Sequence, residues 1–116
     1  MAMTLGSRIR ELREQLDISL REFAKKLGGI SPAHISDIEL GRRFPSEPLL
    51  QKMAALLRVS IDELRKYDNR PPVDELRRLA SEDPAFGFAL RKLVDKEVSP
   101  EDIMKLAKNK RDRERP

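Results

Sequence analysis

At 116 residues, with 39% hydrophobic and only 4% aromatic side chains, the chain can build one small aliphatic core with an appendage. It has no cysteine, which excludes a disulfide framework, a thiolate zinc site and a cysteine nucleophile. Its 24 basic and 20 acidic residues leave a net charge of +4, split evenly as 12 and 10 over residues 1–68 and 12 and 10 over residues 69–116, so phosphate attraction must come from local clusters such as Arg42-Arg43.

Residues Met1–Gly6 lack the basic start and apolar stretch of a signal peptide, and no run approaches the roughly 18 apolar residues that span a bilayer. A cytoplasmic protein with no membrane partner is expected. Leu5, Ile9, Leu12 and Leu16 recur at helical spacing and predict an amphipathic first helix. Two helix starts in the same grammar follow, twelve residues apart and separated by Leu27-Gly28-Gly29. In the first, Ser19 caps, Glu22 is placed to reach back to the Ser19 amide, and Ile18 is placed to staple onto Phe23. In the second, Ser31 caps, Pro32 sits at the first helical position where no amide is needed, and Ile30 is placed to staple onto Ile35. Helices this short are marginal alone, since roughly 12 to 15 residues are needed in water, so a core must fix their mutual angle. A helix held rigidly with its first turn projecting outward is how many proteins enter the major groove.

Ser46 is placed to cap a fourth helix with Leu49, Leu50, Met53, Ala54, Leu56 and Leu57 as its apolar positions. The capping pattern returns at Ser60 and Glu63, with Val59 placed to staple onto Leu64. Five helices are therefore expected by Tyr67, with no period-two alternation to suggest a strand. Asp68-Asn69-Arg70-Pro71-Pro72 breaks the pattern, which sets domain boundaries at 1–68, a linker at 69–72 and a helical extension at 73–110. In the extension, Leu76, Leu79 and Ala80 predict a short helix, Asp83-Pro84 starts another, and Ser99-Pro100 opens a last one with Val98 placed to staple onto Ile103. The stripe of Phe86, Leu90 and Leu93 serves either as ordinary core or as a dimer or partner surface. Residues 111–116 are charged and are expected to fray. One histidine, no cysteine and no phosphate-cradling glycine motif leave no catalytic constellation, metal site or cofactor site to expect.

Residues 4–68 resemble the helix-turn-helix domain of lambda-repressor and Cro-like, or Xre-type, regulators. Four pieces in order carry the likeness: Arg8 to Arg13, Ser19 to Gly28, Ile30 to Arg43, and Val59 to Leu64. The resemblance implies an all-α fold, a five-helix DNA-binding domain with a helical C-terminal extension, and a bacterial or phage-encoded regulator. It implies a third helix in the major groove with Ser31, Pro32, Ala33, His34, Ser36 and Asp37 as base-reading positions, while Ile35 and Ile38 face the core. Within that frame His34 suits a guanine acceptor or a phosphate, Asp37 a cytosine amino group, and Ala33 a thymine methyl. His34 also has the plainer reading of a solvated histidine near a helix start. Phosphate contacts fall on Ser19, Leu20, Arg42 and Arg43, and Arg13 and Glu39 align with an ion pair that bridges the first and third helices. The chain departs from the pattern in having Leu20 where many relatives have glutamine or threonine, and Gly28-Gly29 where a single glycine is usual.

Double-stranded DNA is thus the expected partner. A module of roughly 65 residues reads few base pairs, so a homodimeric repressor on a pseudo-palindromic operator is the first reading. The alternative is an antitoxin or partner-binding regulator whose C-terminal helices hold a co-encoded toxin or a metallopeptidase-like protein while it autoregulates its operon.

Overall fold

The computed structural model describes residues 3–114, which form eight α-helices: α1 Leu5–Gln15, α2 Leu20–Lys26, α3 Pro32–Glu39, α4 Glu47–Leu56, α5 Ile61–Arg65, α6 Val73–Glu82, α7 Pro84–Asp95 and α8 Pro100–Glu114. Among the described residues there is no strand, and no helix is long and apolar enough to cross a membrane. The chain divides between Arg70 and Pro71 into two compact units.

In the first unit, α1–α5 wrap a core of Leu5, Ile9, Leu12, Phe23, Ala24, Leu27, Ile35, Ile38, Leu49, Leu50, Met53, Ala54, Leu57 and Leu64. Aliphatic side chains dominate because the sequence offers few rings. Ile18, Ile30 and Val59 pack at its edge from the residue before each cap, which is the staple geometry. The serine caps form as hydrogen bonds in which backbone amides donate: Glu22 N to Ser19 Oγ at 3.1 Å, His34 N to Ser31 Oγ at 3.1 Å, Leu49 N to Ser46 Oγ at 3.3 Å and Glu63 N to Ser60 Oγ at 3.2 Å.

The reciprocal half of the two predicted capping boxes takes another course. Glu22 pairs with Lys26 at 3.7 Å, and Glu63 accepts from Arg8 at 3.2 Å and Lys66 at 3.4 Å. A carboxylate with cations in reach gains more from them than from one exposed amide. The Lys66 and Arg8 hydrogen bonds together hold the Glu63 carboxyl below its usual range. The full reciprocal box lies at the start of α1, where Thr4 and Ser7 each accept from the other's amide.

Asn69 and Arg70, expected in the linker, fall within the first unit. Arg70 donates to both carboxylate oxygens of Asp68 and to the Pro45 carbonyl at 2.9 Å, and its guanidinium lies 4.6 Å from the centre of the Phe44 ring. The Arg70 hydrogen bonds keep the Asp68 carboxyl below the ordinary aspartate range.

The second unit starts after the two prolines. Asp83 accepts from the Ala85 amide at 3.0 Å to begin α7, and Ser99 accepts from the Asp102 amide at 3.2 Å to begin α8. A Cβ on Gly87 would lie 3.4 Å from the Ala80 Cβ, so two small side chains let α6 and α7 approach. Neither helix has a fully buried residue. The segment read as frayed, 111–116, is helical as far as Glu114. Residues 115 and 116 of that segment lie outside the described residues.

Candidate nucleic-acid interface

The turn between α2 and α3 determines how α3 is presented. Gly28 and Gly29 both have positive φ, 99° and 84°, a consecutive left-handed pair that residues with a Cβ resist. The additional glycine is absorbed in this turn: Ile35 and Ile38 stay in the core at 0% and 1% exposure, and Ser31 still caps. Ser31, Pro32 and Ala33 are consequently exposed on the opposite side, with His34, Ser36 and Asp37 half-buried beside them.

Behind this rim, α3 is tied to α1 by an ion pair. Arg13 Nε donates to Glu39 Oε2 at 2.8 Å and Nη2 to Oε1 at 3.0 Å, both side chains nearly buried, while Nη1 donates to the Ile18 carbonyl at 2.8 Å. The hydrogen bond to Glu39 raises the Arg13 pKa further above its already high ordinary value. The forked geometry fixes orientation as well as distance. It holds the C-terminal end of α3 while the N-terminal end faces outward.

The chain then reverses at Gly41, and the Asp37 carbonyl accepts from the amides of Arg42 at 2.8 Å and Arg43 at 3.3 Å. This brings both arginines back over α3. Their guanidinium groups lie 3.7 Å and 3.8 Å from the Asp37 carboxylate, and Arg43 Nη1 is 3.3 Å from His34 Nδ1. A guanidinium only donates, so Nδ1 is the acceptor in this contact. Residues that sequence reasoning sorted into base readers and phosphate contacts therefore form one charged cluster.

Of the other expected phosphate residues, Ser19 is exposed and occupied in capping α2, while Leu20 packs partly against the core and offers only its amide. Sequence reasoning passed over Arg21 and Lys25. They sit four residues apart on the exposed face of α2 and border, with Ser19, Ile30 and Pro32, a groove of about 650 Å³ beside the start of α3. Their i,i+4 spacing after the Ser19 cap was the signal available.

In the second unit, Phe86, Leu90 and Leu93 are half-buried. The more open apolar side chains are Val94 at 76% exposure, with Phe88, Ile103, Met104 and Leu106.

A five-helix unit with a capped third helix projecting beside paired arginines defines a helix-turn-helix module. Residues 9–64 match the family described as helix-turn-helix. YazB of Bacillus subtilis, named as an uncharacterized HTH-type transcriptional regulator, is 42% identical over 59 residues, covering 51% of this chain and 84% of that protein. An uncharacterized HTH-type transcriptional regulator of Mycobacterium tuberculosis is 41% identical over 59 residues, covering 51% of this chain and 41% of that protein, so the chain spans less than half the length of that relative. Among solved structures, SinR of Bacillus subtilis in complex with DNA is similar at 35% identity and TM-score 0.50, covering 53% of this chain and 98% of that one. The complex of SinR with SinI is similar at 25% identity and TM-score 0.50, covering 95% and 97%. The chain belongs to the helix-turn-helix family of lambda-repressor-like transcriptional regulators. The antitoxin alternative is not favoured by these relatives.

Proposed function

We propose that this chain is a sequence-specific DNA-binding repressor that inserts the N-terminal turn of α3 into the major groove and acts as a dimer on a pseudo-palindromic operator. The observation that carries this reading is the exposure of Ser31, Pro32 and Ala33 on a helix whose opposite face, Ile35 and Ile38, is locked into the core. Beside them, His34 and Asp37 are the base-edge readers. Ser36 lines the same side, and Arg42 and Arg43 reach the flanking phosphates. SinR, to which this first unit is similar, has been solved on DNA.

Sorting contacts in this way has a direct test. With a DNA sequence selected by the protein, His34→Ala should change preference at one base pair by about 1–3 kcal/mol and leave the other positions unaltered, whereas Arg42→Ala should weaken all sequences alike and flatten the salt dependence. Binding assays across single-base variants at fixed salt separate the two. The same uniform loss from both substitutions would show that His34 reads no base.

A dimer fits the exposed apolar side chains of the second unit. A second copy of the chain is the partner we propose for the exposed Val94 of α7, together with the half-buried Phe86, Leu90 and Leu93 of the same helix. Val94→Asp is expected to weaken self-association about tenfold or more, since burying a valine contributes roughly 1.5 kcal/mol or above and a carboxylate reverses the sign. Light scattering over a dilution series checks this, with the circular dichroism of α1–α5 unchanged. An equal mass for both proteins at every concentration contradicts it.

A further inference from the structure

Among the described residues of the first unit, four basic side chains have no hydrogen-bond, ion-pair or ring partner: Arg21, Lys25, Lys52 and Arg58. Two of them, Arg21 and Lys25, border the same groove, the one between α2 and the start of α3. The acidic residue on that flank, Glu22, is engaged by Lys26 at 3.7 Å, so the flank presents two uncompensated positive charges. On the other side of α3, Arg42 and Arg43 share the Asp37 carboxylate, which leaves that cluster with one net charge.

We propose that Arg21 and Lys25 form the principal phosphate grip of this protein, on the α2 flank of the recognition helix, and that Arg42 and Arg43 are the lesser electrostatic contributors. This rests on the DNA-binding reading above. Their partner is the sugar-phosphate backbone of duplex DNA. The two cations lie one helical turn apart on an exposed face and border the groove with Pro32, whose own helix supplies the base readers. DNA seated on α3 brings its backbone along the flanks of that helix, where such charges displace condensed counterions. Asp37 has the opposite effect on the other flank: it holds the two arginines near its own carboxylate, so they gain less from a phosphate than unpaired cations do.

The test measures the logarithm of affinity against the logarithm of salt concentration for two duplexes, one carrying the selected sequence and one of random sequence and equal length. Arg21→Gln with Lys25→Gln is expected to reduce the magnitude of the slope by about 1.8 on both duplexes, at roughly 0.9 per phosphate contact. Arg42→Gln should reduce it by less than half as much. The charge-conserving pair Arg21→Lys and Lys25→Arg should keep the original slope, which separates charge from any role in the packing of α2. If the unsubstituted protein binds both duplexes and the glutamine pair leaves its slope unchanged, the grip is overturned while DNA binding stands. If the unsubstituted protein binds neither duplex, both readings fall together.

Discussion

Gly6→Ala is expected to destabilise the first unit by about 3 kcal/mol or more, and with it to remove DNA binding. A Cβ at this position would lie 2.2 Å from the Ile38 carbonyl oxygen, 2.6 Å from that of Glu39 and 2.8 Å from the Glu39 carbonyl carbon. All three atoms are backbone, so no rotamer change relieves the overlap. The helices α1 and α3 would have to separate, which loosens Leu5, Ile9, Ile35 and Ile38 in the core and stretches the Arg13–Glu39 pair. Overpacking of ordinary cores costs about 1–3 kcal/mol where side chains can give way, and a clash with backbone exceeds that. Because domains are stable by only about 5–15 kcal/mol, the melting temperature should fall by about 12 °C or more. Thermal denaturation followed by circular dichroism checks it. A melting temperature within about 2 °C of the original would show that α1 and α3 are not in the close approach described.

The second large effect concerns the ion pair beneath the recognition helix. Arg13→Ala should cost about 3–5 kcal/mol, because it strands the Glu39 carboxylate in a nearly buried site and frees the Ile18 carbonyl. Glu39→Ala should cost a similar amount for the mirrored reason. Replacing both by apolar residues of similar volume, Arg13→Met with Glu39→Leu, should recover most of the loss, since the desolvation of both charges disappears together. A double-mutant cycle by urea denaturation built from Arg13→Ala, Glu39→Ala and the double alanine variant is therefore expected to show strong coupling. Additive losses, with the double variant as unstable as the sum of the singles, would mean the two side chains do not depend on each other. DNA affinity adds a second readout: the apolar pair should fold yet orient α3 less strictly, because it lacks the forked hydrogen bonds.

The elements that present the site could be read from the chain because their signals are local. Serine caps at Ser19, Ser31, Ser46 and Ser60, the proline at Pro32, and apolar residues at helical spacing each depend on neighbours within a few positions. The box at Thr4 was less visible because Ser7, rather than glutamate or glutamine, completes it. Gly6 shows the opposite limit. A glycine inside an amphipathic helix has no sequence mark that separates a weak helix former from a contact with another helix's backbone. The Arg13–Glu39 pair was legible only through the family resemblance, since nothing in a separation of 26 residues indicates contact.

Within the site, the six outward positions of α3 could be assigned only through the family resemblance, and their interactions could not be assigned from the sequence at all. His34 and Asp37 meet Arg43 and Arg42 only because the chain reverses at Gly41 and the Asp37 carbonyl gathers both arginine amides. Arg42 and Arg43 could be assigned to phosphate because the family resemblance places the loop after the third helix against the DNA backbone. The unpaired state of Arg21 and Lys25 depends on where every nearby carboxylate turns, and that is a property of the folded unit. For the extension, the amphipathic helices were evident, yet Phe86, Leu90 and Leu93 proved more covered than Phe88 and Val94. The pairing of α6 and α7 through Gly87 and Ala80 sets which side is shielded.

Selection of bound duplexes from a random pool, at a stated salt concentration, tests the central claim that the start of α3 reads DNA in the major groove. The account predicts enrichment of a two-fold symmetric sequence with half-sites about one helical turn apart, and loss of preference at one symmetric pair of positions for His34→Ala. A pool that remains unenriched through successive rounds, with binding that disappears uniformly as salt rises, would contradict it.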